Sequence, residues 1–329
     1  ALNVASVWKL PVIFLIENNG YGLSTRPSEQ YACESLVGRA IGYGMRSASI
    51  DGNNILEVYA TIRQLAEEMR KNPEPVLLEC RTFRMRGHEE ASGTKYVPKE
   101  LMEEWAKKDP IENYEKWLLS EDILTEAHIK ALKDKYKKSV QEAVDVMFAE
   151  PEPEPNTIEE LADVYKETPK PTPTNSTGKE TRFIDAISDG LREAMRRHPN
   201  LILMGQDIAD YGGVLKITQG FMDEFGKDRV RNTPLCESAI IGIGLGLSIG
   251  GFKSMVEMQF ADFVTCGFNQ IVNNLAKLHW RWGQNADVVI RMPTGGGTGA
   301  GPFHSQSNEA WFTHVPGLKV VYPSTPHDA

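Results

Sequence analysis

Two periods of apolar and polar positions alternate along the first hundred residues. Residues 12–16 are an uninterrupted apolar run, the pattern of a parallel strand covered on both faces. Residues 55–69 set Leu56, Tyr59, Ile62, Leu65 and Ala66 at helical spacing, and residues 76–83, introduced by Pro73 and Pro75, predict another strand. Strand, helix, strand in that order is the grammar of a parallel α/β sheet. From residue 99 the texture turns helical. Asp109-Pro110-Ile111-Glu112 predicts a helix start, with an aspartate cap, a proline in the first turn and an acid three residues after the cap. Thr125 predicts the start of a longer helix, with Ile129, Leu132, Tyr136, Val140, Ala143, Val144 and Met147 on one face and Lys and Glu elsewhere. This reads as a solvated helical appendage.

Pro151-Glu-Pro-Glu-Pro155 and Pro169-Lys-Pro-Thr-Pro173 then predict an extended, semi-rigid spacer at a domain boundary. Beyond it the grammar resumes. Helices are expected at 183–195, 237–250 and 269–280, and strands at 201–204, 253–258, 288–291 and 318–322. No fixed-period repeat is present. The expected fold class is therefore α/β, two parallel-sheet domains joined by a helical appendage and a Pro-rich linker, with segments 1–98, 99–150, 151–180 and 181–329.

Composition narrows the function classes. A length of 329 residues fits about two domains, and 41% hydrophobic with 25% charged content is that of a globular chain. The net charge of −9 argues against a nucleic-acid binder, which needs a basic face. Cys33, Cys80, Cys236 and Cys266 form no C-x-x-C pair, so neither a disulfide framework nor a zinc site is expected, and a reducing, cytoplasmic setting is. The most apolar run, 239–252, is shorter than the ~20 residues of a membrane span and rich in glycine. No signal peptide is visible. The chain opens on what reads as the inside of a helix and stops where a capped helix is expected to begin, so the sequence reads as the middle of a longer polypeptide.

Several segments carry chemistry. Glu17-Asn18-Asn19-Gly20-Tyr21-Gly22 follows the first strand, and ligands of open α/β sheets gather beyond the carboxyl ends of strands. Its Asn-Gly pair is either a tight turn or a source of oxygen ligands for a hard cation. Arg84, Arg86 and His88 stand near a later strand end as a candidate anion site. Glu237 opens an apolar helix whose Gly242, Gly246 and Gly250 leave a stripe where another helix can approach closely. The glutamate is either a helix-dipole partner or a functional carboxyl. Gln259, Phe260 and Phe263 form a polar–aromatic cluster, either core or cofactor platform. Residues 295–301 lack the Lys-Ser/Thr ending of a P-loop, and the loose dinucleotide pattern there opens no expected helix, so the stretch reads as a backbone loop presenting His304.

Together these segments resemble thiamine diphosphate-dependent 2-oxo acid dehydrogenases, the decarboxylating component. Glu17 to Gly22 is similar to the closing half of the thiamine diphosphate motif, whose opening Gly-Asp-Gly half is absent from this sequence. Arg81 to His88 resembles the alpha subunit, while Asn232 to Gly246, Glu257 to Phe263 and His304 to Pro326 resemble the beta subunit. The order resembles a fused alpha/beta chain, with a diphosphate-binding domain in 1–98 and a pyrimidine-binding domain in 181–329.

The resemblance implies a role for each candidate. Asn19 supplies a Mg²⁺ ligand through its side chain and Tyr21 one through its carbonyl. His88 lies at the diphosphate and the mouth of the site, and Glu89 replaces the phospho-serine that some members carry next to it. Glu237 holds the aminopyrimidine nitrogen, shifting the exocyclic amine towards the imino form that removes the thiazolium proton. Burial against Leu235 and Ile240 is expected to raise the Glu237 pKa. Phe263 packs on the pyrimidine, Leu235 and Gln259 contact the cofactor, and His304 donates a proton during acyl transfer to a lipoyl group. His314 reads as structural.

The implied partners are a lipoyl-bearing acyltransferase and a second copy of the fused chain, with no nucleic acid and no membrane. Ser24-Thr25-Arg-Pro-Ser28-Glu29-Gln30-Tyr31 resembles the branched-chain enzymes, whereas Glu17 is closer to the pyruvate enzymes. The expected activity is oxidative decarboxylation of a branched-chain 2-oxo acid, within branched-chain amino acid catabolism. Pyruvate, a transketolase-like transfer and a non-catalytic assembly module are the alternatives, in that order.

Overall fold

Val76, Leu77 and Leu78 leave little for water to hold, and in the computed structural model residues 76–80 form the buried centre of a sheet. The structure describes residues 1–329 except 90, 169–177 and 179. It divides into two compact units, Leu2–Glu154 and Pro155–Ala329.

The first unit begins with α1 (Leu2–Val7) and β1 (Ile13–Asn18), followed by α2 (Arg39–Gly42), β2 (Arg46–Asp51), α3 (Ile55–Lys71) and β3 (Val76–Arg81). Its strands run parallel in the order β1-β3-β2, with Val76 opposite both Ile13 and Arg46. Alternate residues of β3 serve opposite faces, as the period of two demands. Val76, Leu78 and Cys80 join Ile50, Leu65 and Met69 beneath α3, while Leu77 packs with Ala40 and Met45 on the other side. Glu79 follows Leu77 onto that second face, which brings a carboxylate into the interior. β2 was not expected from the sequence. Its Arg46-Ser-Ala-Ser-Ile-Asp51 run offers only Ala48 and Ile50 to the core, and pairing with β3 supplies what its own pattern lacks.

Caps set the helix starts. Asn54 Oδ1 accepts from Leu56 N and Glu57 N at the head of α3, and Asp109 Oδ1 does the same for Ile111 N and Glu112 N, each at 2.9 Å. α4 (Lys99–Ala106), α5 (Pro110–Ser120) and α6 (Glu126–Ala149) complete the unit. α4 fills the start of the 99–150 stretch expected to be helical. In α6 only Ile129 is buried, and Tyr136, Val140 and Met147 stay more than half exposed, so this appendage is solvated on its apolar face too.

The second unit holds α7 (Thr157–Asp163), α8 (Phe183–Arg197), β4 (Leu201–Gly205), α9 (Phe221–Phe225), β5 (Val230–Asn232), α10 (Glu237–Ile249), β6 (Lys253–Glu257), α11 (Ala276–Trp282), β7 (Val288–Arg291) and α12 (Glu309–Thr313). α7 places a helix, capped by Asn156, inside the stretch expected to be an extended spacer. The second proline cluster of that stretch lies outside the described residues. The sheet is parallel throughout, in the order β5-β4-β6-β7. Met195, Leu201, Leu203, Ile208, Phe221, Val230 and Met255 form the core under α8.

Three expectations are corrected in this unit. The glycine stripe of α10 meets a neighbouring segment only at Gly242, where an added Cβ would lie 3.7 Å from Gln270 Oε1; at Gly246 it would meet nothing within 4 Å. Gly244, off that stripe, is the close approach, where a Cβ would lie 3.0 Å from Ser254 Oγ and 3.2 Å from Val256 Cγ1 on β6. Residues 318–322 are not a strand. No ladder pairs them, and Val321 is 80% exposed, since an apolar run becomes a strand only with a partner. The strand expected over 253–258 closes at Glu257, and the aromatic segment after it is not strand. Met258 N and Ala261 N bond to Arg291 O and Pro293 O, after which the chain tightens into a 3₁₀ segment, Ala261–Gly267. The helix expected over 269–280 opens as a π turn, Gln270–Leu275, and continues into α11.

Candidate functional site

In the first unit the site candidates gather at the carboxyl ends of β1 and β3. Glu79 is 2% exposed and accepts from Asn18 Nδ2 at 2.8 Å, Ser35 Oγ at 2.6 Å and Ser49 Oγ at 3.1 Å. Burial pushes its carboxyl up, but the donors Ser35, Asn18 and Ser49 and the backbone of Leu36 outweigh that and hold it below the ordinary value. Asn18 is thereby fixed, and the chain turns immediately after it. Asn19 Oδ1 accepts from Tyr21 N at 3.2 Å across Gly20, whose φ of +79° favours glycine. Both readings of this segment thus share one geometry: a tight turn that presents an amide oxygen and the Tyr21 backbone.

Tyr21 packs edge-on against Phe83 and Tyr96, with ring centroids 6.1 and 5.7 Å away. Arg84 is not a free anion ligand. Its Nη2 donates to Leu23 O at 2.6 Å and to Tyr96 Oη at 2.9 Å, and its Nη1 lies 3.3 Å from His88 Nδ1. A guanidinium has no acceptor, so Nδ1 of His88 carries the lone pair and Nε2 carries the ring proton. Of the three residues of the expected anion site, His88 and Arg86 are exposed, while Arg84 Nε is buried with no hydrogen-bond partner.

In the second unit the corner after β4 organises the candidates. Gln206 Nε2 donates to Glu237 Oε1 at 3.2 Å, and the adjacent Asp207 Oδ2 accepts from Gln259 Nε2 at 2.9 Å. Glu237 stands at the first position of α10, where the helix dipole favours an anion. Leu235 is 82% exposed and does not bury Glu237, contrary to the sequence expectation, while Ile240 is fully buried. His304 lies between two aromatic rings, edge-on to Phe260 at 5.1 Å and to Phe263 at 5.4 Å. His314 is exposed at the end of α12. The structure thus brings His304 together with Phe263, Glu237 with Gln206, and Gln259 with Asp207.

Sequence reasoning missed Glu79, Gln206 and Asp207. Glu79 carried a signal, a single acid inside the apolar run of a central strand. Gln206 and Asp207 carried only their place just after a strand.

The donor sets fit a thiamine-type cofactor in part. The carboxyl of Glu237, held from one side by Gln206, suits a ring nitrogen, and Phe263 offers an aromatic face. Asn19 and Tyr21 supply two hard oxygens, fewer than the six of an octahedral Mg²⁺, so the remainder would come from diphosphate and other groups. Among the described residues no group of three or more His, Cys, Asp or Glu gathers as a metal site, and no helix is long and apolar enough to cross a membrane.

Residues 1–156 match the family model for the dehydrogenase E1 component, and residues 179–329 match that for the transketolase pyrimidine binding domain. The chain is 45% identical over 149 residues to the 2-oxoisovalerate dehydrogenase subunit beta of Bacillus subtilis (strain 168), covering 45% of this chain and 46% of the relative. It is 44% identical over 149 residues to the pyruvate dehydrogenase E1 component subunit beta of Leifsonia xyli subsp. xyli, covering 45% and 44%. It is 45% identical over 149 residues to the 3-methyl-2-oxobutanoate dehydrogenase subunit beta of Mycobacterium tuberculosis (strain ATCC 25618 / H37Rv), covering 45% and 43%. The chain spans less than half the length of these relatives. The chain is thus similar, in succession, to the dehydrogenase E1 component and to the transketolase pyrimidine binding domain, and over 149 residues to beta subunits of 2-oxo acid dehydrogenases.

Proposed function

We propose that the protein is a fused alpha/beta, thiamine diphosphate-dependent 2-oxo acid dehydrogenase, acting on a branched-chain acid of the 3-methyl-2-oxobutanoate type. The observation that carries this is the Glu237 carboxyl, set at the head of α10 and held by Gln206 at 3.2 Å. A match to the dehydrogenase E1 component followed on the same chain by one to the transketolase pyrimidine binding domain supports it.

When bound, thiamine diphosphate supplies the electron sink for the pair released as CO₂ leaves. Glu237 holds a proton against the pyrimidine nitrogen through the oxygen that Gln206 leaves open. Phe263, Leu235 and Gln259, the last steadied by Asp207, would hold the pyrimidine ring. His88 donates from Nε2 to an anionic oxygen. Asn19 and Tyr21 give oxygens to Mg²⁺. His304 moves a proton to the acceptor during transfer of the acyl group to a lipoyl arm.

In this reading residues 1–98 are the diphosphate-binding part, 99–150 a helical appendage, 151–180 the linker and 181–329 the pyrimidine-binding part. The partners are a lipoyl-bearing acyltransferase and a second copy of the chain, and the setting is cytoplasmic. Light scattering of the full-length protein tests the second copy: a dimer is expected, and a fully active monomer contradicts it.

The test of function is turnover of 3-methyl-2-oxobutanoate and of pyruvate by the full-length protein, with Mg²⁺, thiamine diphosphate and an artificial electron acceptor. Faster, cofactor-dependent turnover of the branched acid is expected. A pyruvate preference, in line with the relative from Leifsonia xyli, overturns the substrate and keeps the class. No turnover of either acid overturns the class in favour of transketolase-like transfer or an assembly role.

A further inference from the structure

Asp262 is a buried carboxylate with an incomplete set of partners. It is 8% exposed, its Oδ1 accepts from the backbone N of Gln306 at 3.3 Å and from Gln306 Nε2 at 2.8 Å, and its Oδ2 has no hydrogen-bond partner. No ion pair involving it occurs among the described residues. A half-satisfied buried carboxylate is costly, and a residue needed only to fill space there would be apolar.

Its one ligand sits at the neck of the glycine-rich loop. Gln306 O accepts from Gly295 N at 3.0 Å and from Thr294 Oγ1 at 2.8 Å, which closes residues 295–306 into a ring. Gly295, Gly299 and Gly301 all have positive φ, and the loop's own bonds, Thr298 N to Gly295 O, Gly299 N to Gly296 O and Ala300 N to Ser305 Oγ at 2.9 Å, are local ones that leave its attachment to the rest of the fold to the neck. His304 lies two residues before Gln306. On the other side of the bond, Asp262 is flanked in sequence by Phe260 and Phe263, the two rings that hold the His304 imidazole. The same short segment thus grips the loop at its neck and cradles its histidine.

We propose that Asp262 is a positioning residue for His304: by clamping Gln306 it locks the 295–306 loop so that the imidazole stays between Phe260 and Phe263. This rests on the proposed function in assigning His304 to acyl transfer; the clamp itself rests on the geometry alone.

Asp262→Ala removes the clamp, Asp262→Asn keeps an acceptor oxygen for Gln306, and Gln306→Ala breaks the same bond from its exposed side and serves where Asp262→Ala does not fold. Amide hydrogen exchange of the full-length protein, without cofactor, reads the loop directly. Exchange over 295–306 is expected to quicken at least about tenfold in Asp262→Ala and Gln306→Ala, with protection largely restored in Asp262→Asn, because a charge-assisted bond at the neck is lost. The second readout is the rate with a lipoyl domain as acceptor divided by the rate with an artificial acceptor. This ratio is expected to fall about 10- to 100-fold in the two alanine variants, the scale of a misplaced reacting group. Unchanged exchange over the loop overturns the clamp. Faster exchange with an unchanged ratio overturns the link to His304. A wild-type protein that turns over no 2-oxo acid overturns the parent reading, and the exchange result then still decides the clamp.

Discussion

Gln206 donates its side-chain amide to Glu237 Oε1 at 3.2 Å, while the next residue, Asp207, accepts from Gln259. One corner after β4 thus orients a carboxyl on α10 and an amide just beyond β6. Gln206 is 7% exposed, so truncation leaves the near oxygen of Glu237 without its protein donor. Gln206→Leu is expected to lower kcat/KM for the 2-oxo acid about tenfold, near the ~1–2 kcal/mol of one oriented hydrogen bond. Steady-state kinetics of the full-length protein check this, and an unchanged kcat/KM contradicts it.

Glu79 is the hub of the first unit's site. Its carboxylate gathers Asn18, Ser35 and Ser49, donors from three separate segments. Glu79→Ala orphans them in the interior and is expected to cost roughly 2–3 kcal/mol of stability. The pH dependence has a definite sign. The folded-state pKa lies below the ordinary carboxylate value because the hydrogen-bond donors outweigh burial. The ionised form therefore contributes stability that is fully present above the unfolded-state pKa and is lost as pH falls through the folded one. Denaturant titrations should show the wild type losing stability on acidification more steeply than Glu79→Gln. Parallel curves for the two contradict the assignment.

Two glycines of α10 separate the close-approach face from the open one. Gly244→Ala pushes a methyl against Ser254, Val256 and Val288 and is expected to destabilise by about 1–2 kcal/mol. Gly246→Ala enters open space and should be neutral or stabilising by up to about 1 kcal/mol. Thermal unfolding distinguishes the two. Equal shifts in the same direction would show that the face is wrongly assigned.

Arg84 sets the tautomer of His88. With Nη1 3.3 Å from Nδ1, neutral His88 is expected as the Nε2–H form in nitrogen NMR at high pH. Arg84→Met should mix the two tautomers and loosen Tyr96 and the Leu23 carbonyl, which share the guanidinium. A predominantly Nδ1–H wild type rules out this role.

Strands and helices with strong periodicity were legible from the chain itself. β1, β3 and β7 lie within two residues of their expected bounds at each end, and α5 and α6 start at the caps Asp109 and Thr125. β2 was not, because an edge strand with two apolar residues has no pattern until β3 pairs with it. Residues 318–322 failed the other way: their apolar run found no ladder. For the candidate site, the motifs singled out Glu237, His304, Asn19 and His88 as candidates, but not the residues that bond to them or to their neighbours. Glu79, Gln206 and Asp262 act through hydrogen bonds to positions 31 to 61 residues away or through a loop neck, and such pairings leave no local period to read.

The central claim is that Glu237 serves a thiamine diphosphate-dependent decarboxylation. The direct measurement is release of CO₂ from carboxyl-labelled 3-methyl-2-oxobutanoate by full-length wild-type protein and Glu237→Gln, each with and without thiamine diphosphate and Mg²⁺. The account predicts cofactor-dependent release by the wild type and a loss of roughly 10²- to 10⁴-fold in the variant, the range of a proton-handling group. Release that needs no thiamine diphosphate, or that Glu237→Gln leaves intact, would contradict it.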